Sequence, residues 1–68
     1  MTVTETYAVH GMTCSHCVQA VTDELIRLPG VRDVRIDLNS GQVTVESDGM
    51  LPLDEVRAAV DEAGYALT

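Results

Sequence analysis

Val31-Arg32-Asp33-Val34-Arg35-Ile36-Asp37-Leu38-Asn39-Ser40-Gly41-Gln42-Val43-Thr44-Val45 is the stretch that decides the fold. Val34, Ile36 and Leu38 alternate with Asp33, Arg35 and Asp37. That period of two predicts a strand over 31–38 with one apolar and one charged face. Asn39-Ser40-Gly41 is turn chemistry, and Val43 and Val45 resume an inward-facing alternation. The two runs predict a hairpin whose apolar face needs cover.

Cover lies on both sides in the sequence. Upstream, Val18, Val21, Leu25 and Leu28 follow the i, i+3, i+7, i+10 spacing of one helix stripe, with Gln19, Asp23 and Arg27 on the other side. Asp23 and Arg27 stand four apart and predict a weak ion pair. Pro29-Gly30 stops this helix. Before it, Val3, Glu5, Tyr7 and Val9 alternate with Thr4, Thr6 and Ala8, a half-buried strand that His10-Gly11 ends. Downstream of the hairpin, Ser47-Asp48-Gly49 marks a loop. Pro52 fits the first turn of a second helix, with Asp54 and Glu55 at its positive end. Leu53, Val56, Val60 and Ala63 form its stripe, Gly64 caps it, and Tyr65 to Thr68 is a last strand. Strand, helix, strand, strand, helix, strand is the split βαβ order. The expected fold is α+β and ferredoxin-like (βαββαβ): a four-stranded antiparallel sheet with two helices on one face, one domain spanning residues 1–68.

Composition narrows the function. The chain has 68 residues, 46 % hydrophobic and 22 % charged, the balance of a globular domain. A chain this short buries only ~60 % of its unfolded surface, so its stability is modest without a staple or a ligand. The net charge is −7 and lysine is absent. Such a chain repels nucleic-acid backbones and anionic membranes and favours a basic partner or a cation. No apolar run is long enough to span a bilayer, and the first residues have neither the basic nor the apolar region of a signal peptide. The expected compartment is the cytoplasm, where thiols stay reduced.

Against that background, Cys14 and Cys17 suggest metal binding or redox chemistry rather than a structural disulfide. Cys14 is expected in the loop and Cys17 in the first turn of the first helix. Unpaired N–H groups and the helix dipole there favour thiolate. Two soft thiolates without further ligands suit a soft cation of low coordination number, and Cu(I) fits best. Zinc prefers four ligands. His16 is turned about 100° away from Cys17 on a helix, and His10 should lie across the strand from Val9, so a closed zinc site is hard to assemble.

Gly11-Met12-Thr13-Cys14-Ser15-His16-Cys17 resembles the heavy-metal-associated domain family. The resemblance continues through Cys17-Val18-Gln19-Ala20-Val21, Leu28-Pro29-Gly30-Val31, Val34-Arg35-Ile36-Asp37-Leu38, Gly41-Gln42-Val43-Thr44-Val45 and Asp61-Glu62-Ala63-Gly64-Tyr65. It implies the ferredoxin-like fold and Cu(I) held by Cys14 and Cys17, with Zn(II), Cd(II) or Hg(II) bound in some members. Free-standing bacterial members are copper chaperones that deliver Cu(I) to heavy-metal P-type ATPases by thiolate exchange. Thr13 resembles the copper-type members, and Tyr65 matches the bacterial chaperone position beside the metal loop. His16 resembles a variant that tunes affinity or acid response in some members.

Blander readings stand beside these. Met12 reads as filling the core beneath the loop rather than as a thioether ligand. His16 reads as a solvated side chain, with an auxiliary metal contact as the sharper alternative. Tyr65 closes the core, shields the metal loop, or does both. Gly11 ends a strand or permits an unusual backbone angle that lets the loop open. Arg27 and Arg32 should sit at the end opposite the cysteines, serving a helix C-terminus and local carboxylates. The metal end would then suit a neutral or basic partner. The expected function is a non-enzymatic cytosolic Cu(I) chaperone whose partner is a copper-transporting P-type ATPase, with a Cu-bridged homodimer as a further form. Rivals are a thiol–disulfide oxidoreductase and a metal-binding regulatory domain belonging to such an ATPase.

Overall fold

The computed structural model describes residues 2–13 and 15–67; Met1, Cys14 and Thr68 lie outside the described residues. The elements are β1 (Val3–His10), α1 (Ser15–Ile26), β2 (Val31–Asp37), β3 (Gln42–Ser47), α2 (Leu53–Glu62) and β4 (Ala66–Leu67). The strands form one sheet in the order β2-β3-β1-β4, antiparallel at every pairing. This is the ferredoxin-like arrangement expected from the element order.

The hairpin sets the register. Ile36 faces Val43 and Val34 faces Val45 across β2 and β3. Tyr7 and Glu5 of β1 take the same two rows on the far side of β3. Val43 and Val45 are fully buried and meet Val21, Leu25, Val56 and Val60 from the helices in a single core. Glu5 shares the inward register and is half-buried. Burial, and secondarily the nearby Glu5 carboxylate, raises the Tyr7 phenol above its ordinary value, so it stays neutral. A register shift between Val31 and Asp33 leaves Arg32 exposed, where it pairs with Asp48.

Five details differ from the sequence reading. The buried stripe of α1 is Cys17, Val21 and Leu25, while Val18 and Leu28 are only half-buried. The i, i+4 line through the two deepest residues extends back to Cys17, and a reduced cysteine packs as a small hydrophobe. On α2 the buried residues are Val56, Ala59 and Val60, whereas Leu53 is 50 % exposed. Helix α2 begins at Leu53, so no preceding turn carries its stripe inward, and Leu51 packs on the core instead. Arg27 pairs with Glu24 at 3.4 Å, and Asp23 accepts a hydrogen bond from the Gln19 amide, so the expected Asp23–Arg27 pair is replaced by two others. Pro52 sits at the N-cap of α2, one residue ahead of the first turn. In the last strand the described residues are Ala66 and Leu67; Tyr65 precedes it.

Gly64 ends α2 as expected. Its φ of +94° is the left-handed region. The Gly64 N–H bonds to the Asp61 carbonyl at 2.9 Å and the Tyr65 N–H to the Val60 carbonyl at 3.1 Å, the paired bonds of a Schellman motif. This turn reverses the chain and carries Tyr65 back against Gly11, just past the end of β1. The end of β1, the 38–41 turn and the Gly64 turn thus share one pole. The Val9 N–H bonds to the Gly41 carbonyl at 2.9 Å there. At the other pole the Asp48 N–H bonds to the Gly30 carbonyl at 2.8 Å, and Arg27 and Arg32 lie on that side, each paired with a carboxylate.

Candidate metal centre

The loop between β1 and α1 forms because β1 ends at the pole, where Gly11 has a φ of +96°. A side chain is strained there. A Cβ on Gly11 would stand 3.4 Å from Cδ1 of Tyr65, so the loop backbone lies directly against that ring. Tyr65 is half-buried and packs on the core. It therefore both closes the core and borders the loop. Met12 is 9 % exposed and belongs to the core. Its thioether serves as an anchor beneath the loop, the blander of its two readings.

With Met12 pinned, the next residues stand outward. Thr13, Ser15 and His16 are exposed. Cys17 returns to the core and is 7 % exposed. Cys17 lies on the same face of α1 as Val21 and Leu25, and its helix position draws it inward. Its sulfur is reached from the loop side, since Oγ1 of Thr13 lies 4.0 Å from Cys17 Sγ. Sequence reasoning missed this contact. The spacing of four residues was visible, but a threonine ahead of a helix start signals backbone capping first.

Cys14, the other expected ligand, lies outside the described residues. His16 is on the exposed side of the first turn, and His10 is exposed at the end of β1, opposite Ala66 of β4. Among the described residues, no three of the His, Cys, Asp and Glu side chains come together. What the described residues offer a metal is one thiol at the helix start, beside a hydroxyl, at the boundary between core and loop. A soft ion is the chemical match for such a donor.

A family model for the heavy-metal-associated domain matches residues 6–66. The chain belongs to the heavy-metal-associated domain family. The copper chaperone CopZ of Staphylococcus saprophyticus is 36 % identical to this domain over 63 residues, covering 91 % of this chain and 93 % of that one. A solved structure described as the CopZ metallochaperone superposes with a TM-score of 0.89 at 31 % identity, covering 97 % of this chain and all of that one. The copper-transporting ATPase 2 of Rhizobium meliloti is 34 % identical over 64 residues, which are 94 % of this domain and 8 % of the ATPase. No helix of the domain is long and apolar enough, among the described residues, to cross a membrane.

Proposed function

We propose that this heavy-metal-associated domain is a cytoplasmic Cu(I) chaperone. Cys14 and Cys17 bind one Cu(I) as cargo, and a copper-transporting P-type ATPase is the acceptor. The supporting observation is the position of Cys17 at the first turn of α1, at the core boundary beneath an exposed loop, in a chain alike over nearly its whole length to a copper chaperone. The helix start favours the thiolate form, which is the metal ligand. Two sulfurs leave the ion open to an incoming third. Transfer is ligand exchange: each sulfur–copper bond formed on the acceptor replaces one broken here. Copper remains Cu(I), and a proton moves from the acceptor thiol to the thiolate released. No substrate bond is made or cut, so the protein acts as a carrier and not as an enzyme.

Anaerobic mixing tests delivery directly. The Cu(I)-loaded domain is combined with the apo metal-binding domain of a copper-transporting ATPase, the two are separated by ion exchange, and copper is measured in each. Copper should partition between them within the mixing time. Retention of all copper on the donor while a small chelator removes it readily would contradict the proposed partner.

The match to a segment of an ATPase supports a second reading, a metal-binding domain that regulates such a transporter. The size of the native protein in cell extracts separates the two. Insulin reduction by the domain would instead favour a thiol–disulfide oxidoreductase.

A further inference from the structure

Strand β1 is covered unevenly. Its inward row is Val3, Glu5, Tyr7 and Val9. Val9 is 6 % exposed, and the other three are only half-buried. The difference follows the pairing. β3 runs beside β1 from Val3 to Ala8, whereas β4 pairs only with Val9 and His10 among the described residues.

The Val9 N–H bonds to the Gly41 carbonyl, so Val9 turns its backbone groups toward the β3 side. Antiparallel ladders alternate, so Val3, Glu5 and Tyr7 do the same, and Thr4 and Thr6 present their N–H and C=O groups to the other side. No strand meets those two residues there, among the described residues. The edge has no lysine and no proline, two common guards against strand addition; its guard is Glu5, a charge in the inward row.

Helix α2 overhangs this edge and packs against β4. Val56, Ala59 and Val60 are its buried residues. Leu53 and Arg57, one turn apart, lie on the flank away from Ala59, and both are exposed. The right-handed β3–α2–β4 crossover turns that flank toward the open edge of β1. Glu5 forms no ion pair among the described residues, and Arg57 does not reach it.

We infer that the edge of β1 at Thr4 and Thr6 is a docking site for an extended peptide segment of a partner protein, which adds as a strand and carries a basic side chain opposite Glu5 between two apolar ones. Main-chain bonds to Thr4 and Thr6 hold the segment, and its side chains select it. Cross-strand neighbours share a face, so the residues opposite Val3, Glu5 and Tyr7 all point toward α2. The apolar pair covers Val3, Tyr7 and Leu53, and the basic residue meets Glu5. A second copy of this chain is a poor occupant. Two β1 edges paired about Thr4 and Thr6 set Glu5 against Glu5, and each copy carries a net charge of −7. The site is separate from the metal loop and does not depend on the chaperone reading.

Amide hydrogen exchange of the 15N-labelled domain, followed by NMR, tests this. The probe is a peptide of about seven residues, threonines alternating with valine, lysine and valine. A second peptide has glutamate in place of the lysine. In the free domain the Thr4 and Thr6 amides should exchange roughly tenfold faster than those of Glu5 and Tyr7. The lysine peptide at millimolar concentration should slow Thr4 and Thr6 and leave Glu5 and Tyr7 unchanged. The glutamate peptide should bind roughly fivefold more weakly, and Glu5→Lys should reverse that preference. Thr6→Pro removes an N–H that faces the open edge and keeps the bonds to β3, so it should abolish peptide binding while Glu5 and Tyr7 stay protected. Exchange at Thr4 and Thr6 unmoved by the lysine peptide, or a Glu5→Lys variant with the wild-type preference, would overturn the site as described. Protection of Thr4 and Thr6 that rises with protein concentration alone would assign the edge to a second copy and overturn it as well.

Discussion

Cys14→Ser is expected to lower Cu(I) affinity by roughly several orders of magnitude, and Cys17→Ser is expected to do the same. Serine keeps the shape of cysteine but replaces a soft sulfur donor with a hard oxygen that stays protonated at neutral pH, and soft ligands are what select Cu(I). The two variants differ in a second property. Cys17 is part of the core, 7 % exposed beside Val21, so a hydroxyl there carries a desolvation cost of about 1–3 kcal/mol unless it finds a partner. Cys17→Ser should therefore lose both affinity and resistance to urea. Cys17→Ala separates the effects, since it removes the donor without burying a hydroxyl. Anaerobic chelator competition and urea unfolding of the apo proteins make the comparison. Wild-type affinity in either serine variant would refute the ligand assignment.

The second large effect is on stability and on its link to metal. Leu25 is the largest fully buried side chain, packed on α1 between the sheet and α2. Leu25→Ala should cost about 3 kcal/mol, within the usual range for deleting a buried leucine side chain. A domain of this length has only ~3–10 kcal/mol in total. The apo variant is therefore expected at the edge of unfolding at room temperature. Cu(I) should restore it, because an ion that binds only the folded form stabilises it by ~4 kcal/mol at a thousandfold excess over Kd. Urea midpoints of apo and Cu(I)-loaded Leu25→Ala measure both terms. A midpoint unmoved by stoichiometric Cu(I), in a variant that retains its cysteines, would show that metal binding is not coupled to the fold.

How far the sequence went depends on the scale of the feature. The order of elements was legible because each has a distinct period and a distinct stop: alternation in Val34–Leu38, Pro29-Gly30 after α1, Gly64 after α2. The phase of each helix was less legible. Val18 and Cys17 are adjacent, and hydrophobicity alone favours valine for the core. The structure buries Cys17, because four-residue steps back from Leu25 and Val21 reach it. On α2 the same ambiguity assigned Leu53 to the core in place of Ala59. A large apolar residue at the first position of a helix has no turn before it to carry its side chain inward. Small residues such as Ala59 give no signal of their own, yet fit where a helix approaches the sheet closely.

The site shows the same division. The Cys-x-x-Cys spacing at a strand-to-helix junction was enough to mark the loop. Met12 is buried in the core, and the Tyr65 ring lies against Gly11. The partition of the loop into an exposed Thr13 and a buried Cys17, joined through one hydroxyl, was not legible. It depends on how deeply Met12 is drawn into the core, which is a property of three-dimensional packing and not of local spacing. Likewise Arg27 chose Glu24 over Asp23, since both carboxylates lie one turn away and the choice is made by side-chain direction.

In the proposed chaperone the sulfurs of Cys14 and Cys17 hold the copper. Copper X-ray absorption on the domain loaded with one equivalent of Cu(I), without oxygen or added thiol, tests it most directly. The edge should be that of Cu(I), and two sulfur scatterers should account for the nearest shell. A nearest shell of nitrogen or oxygen, or a spectrum unchanged in the Cys14→Ser Cys17→Ser double variant, would contradict the account.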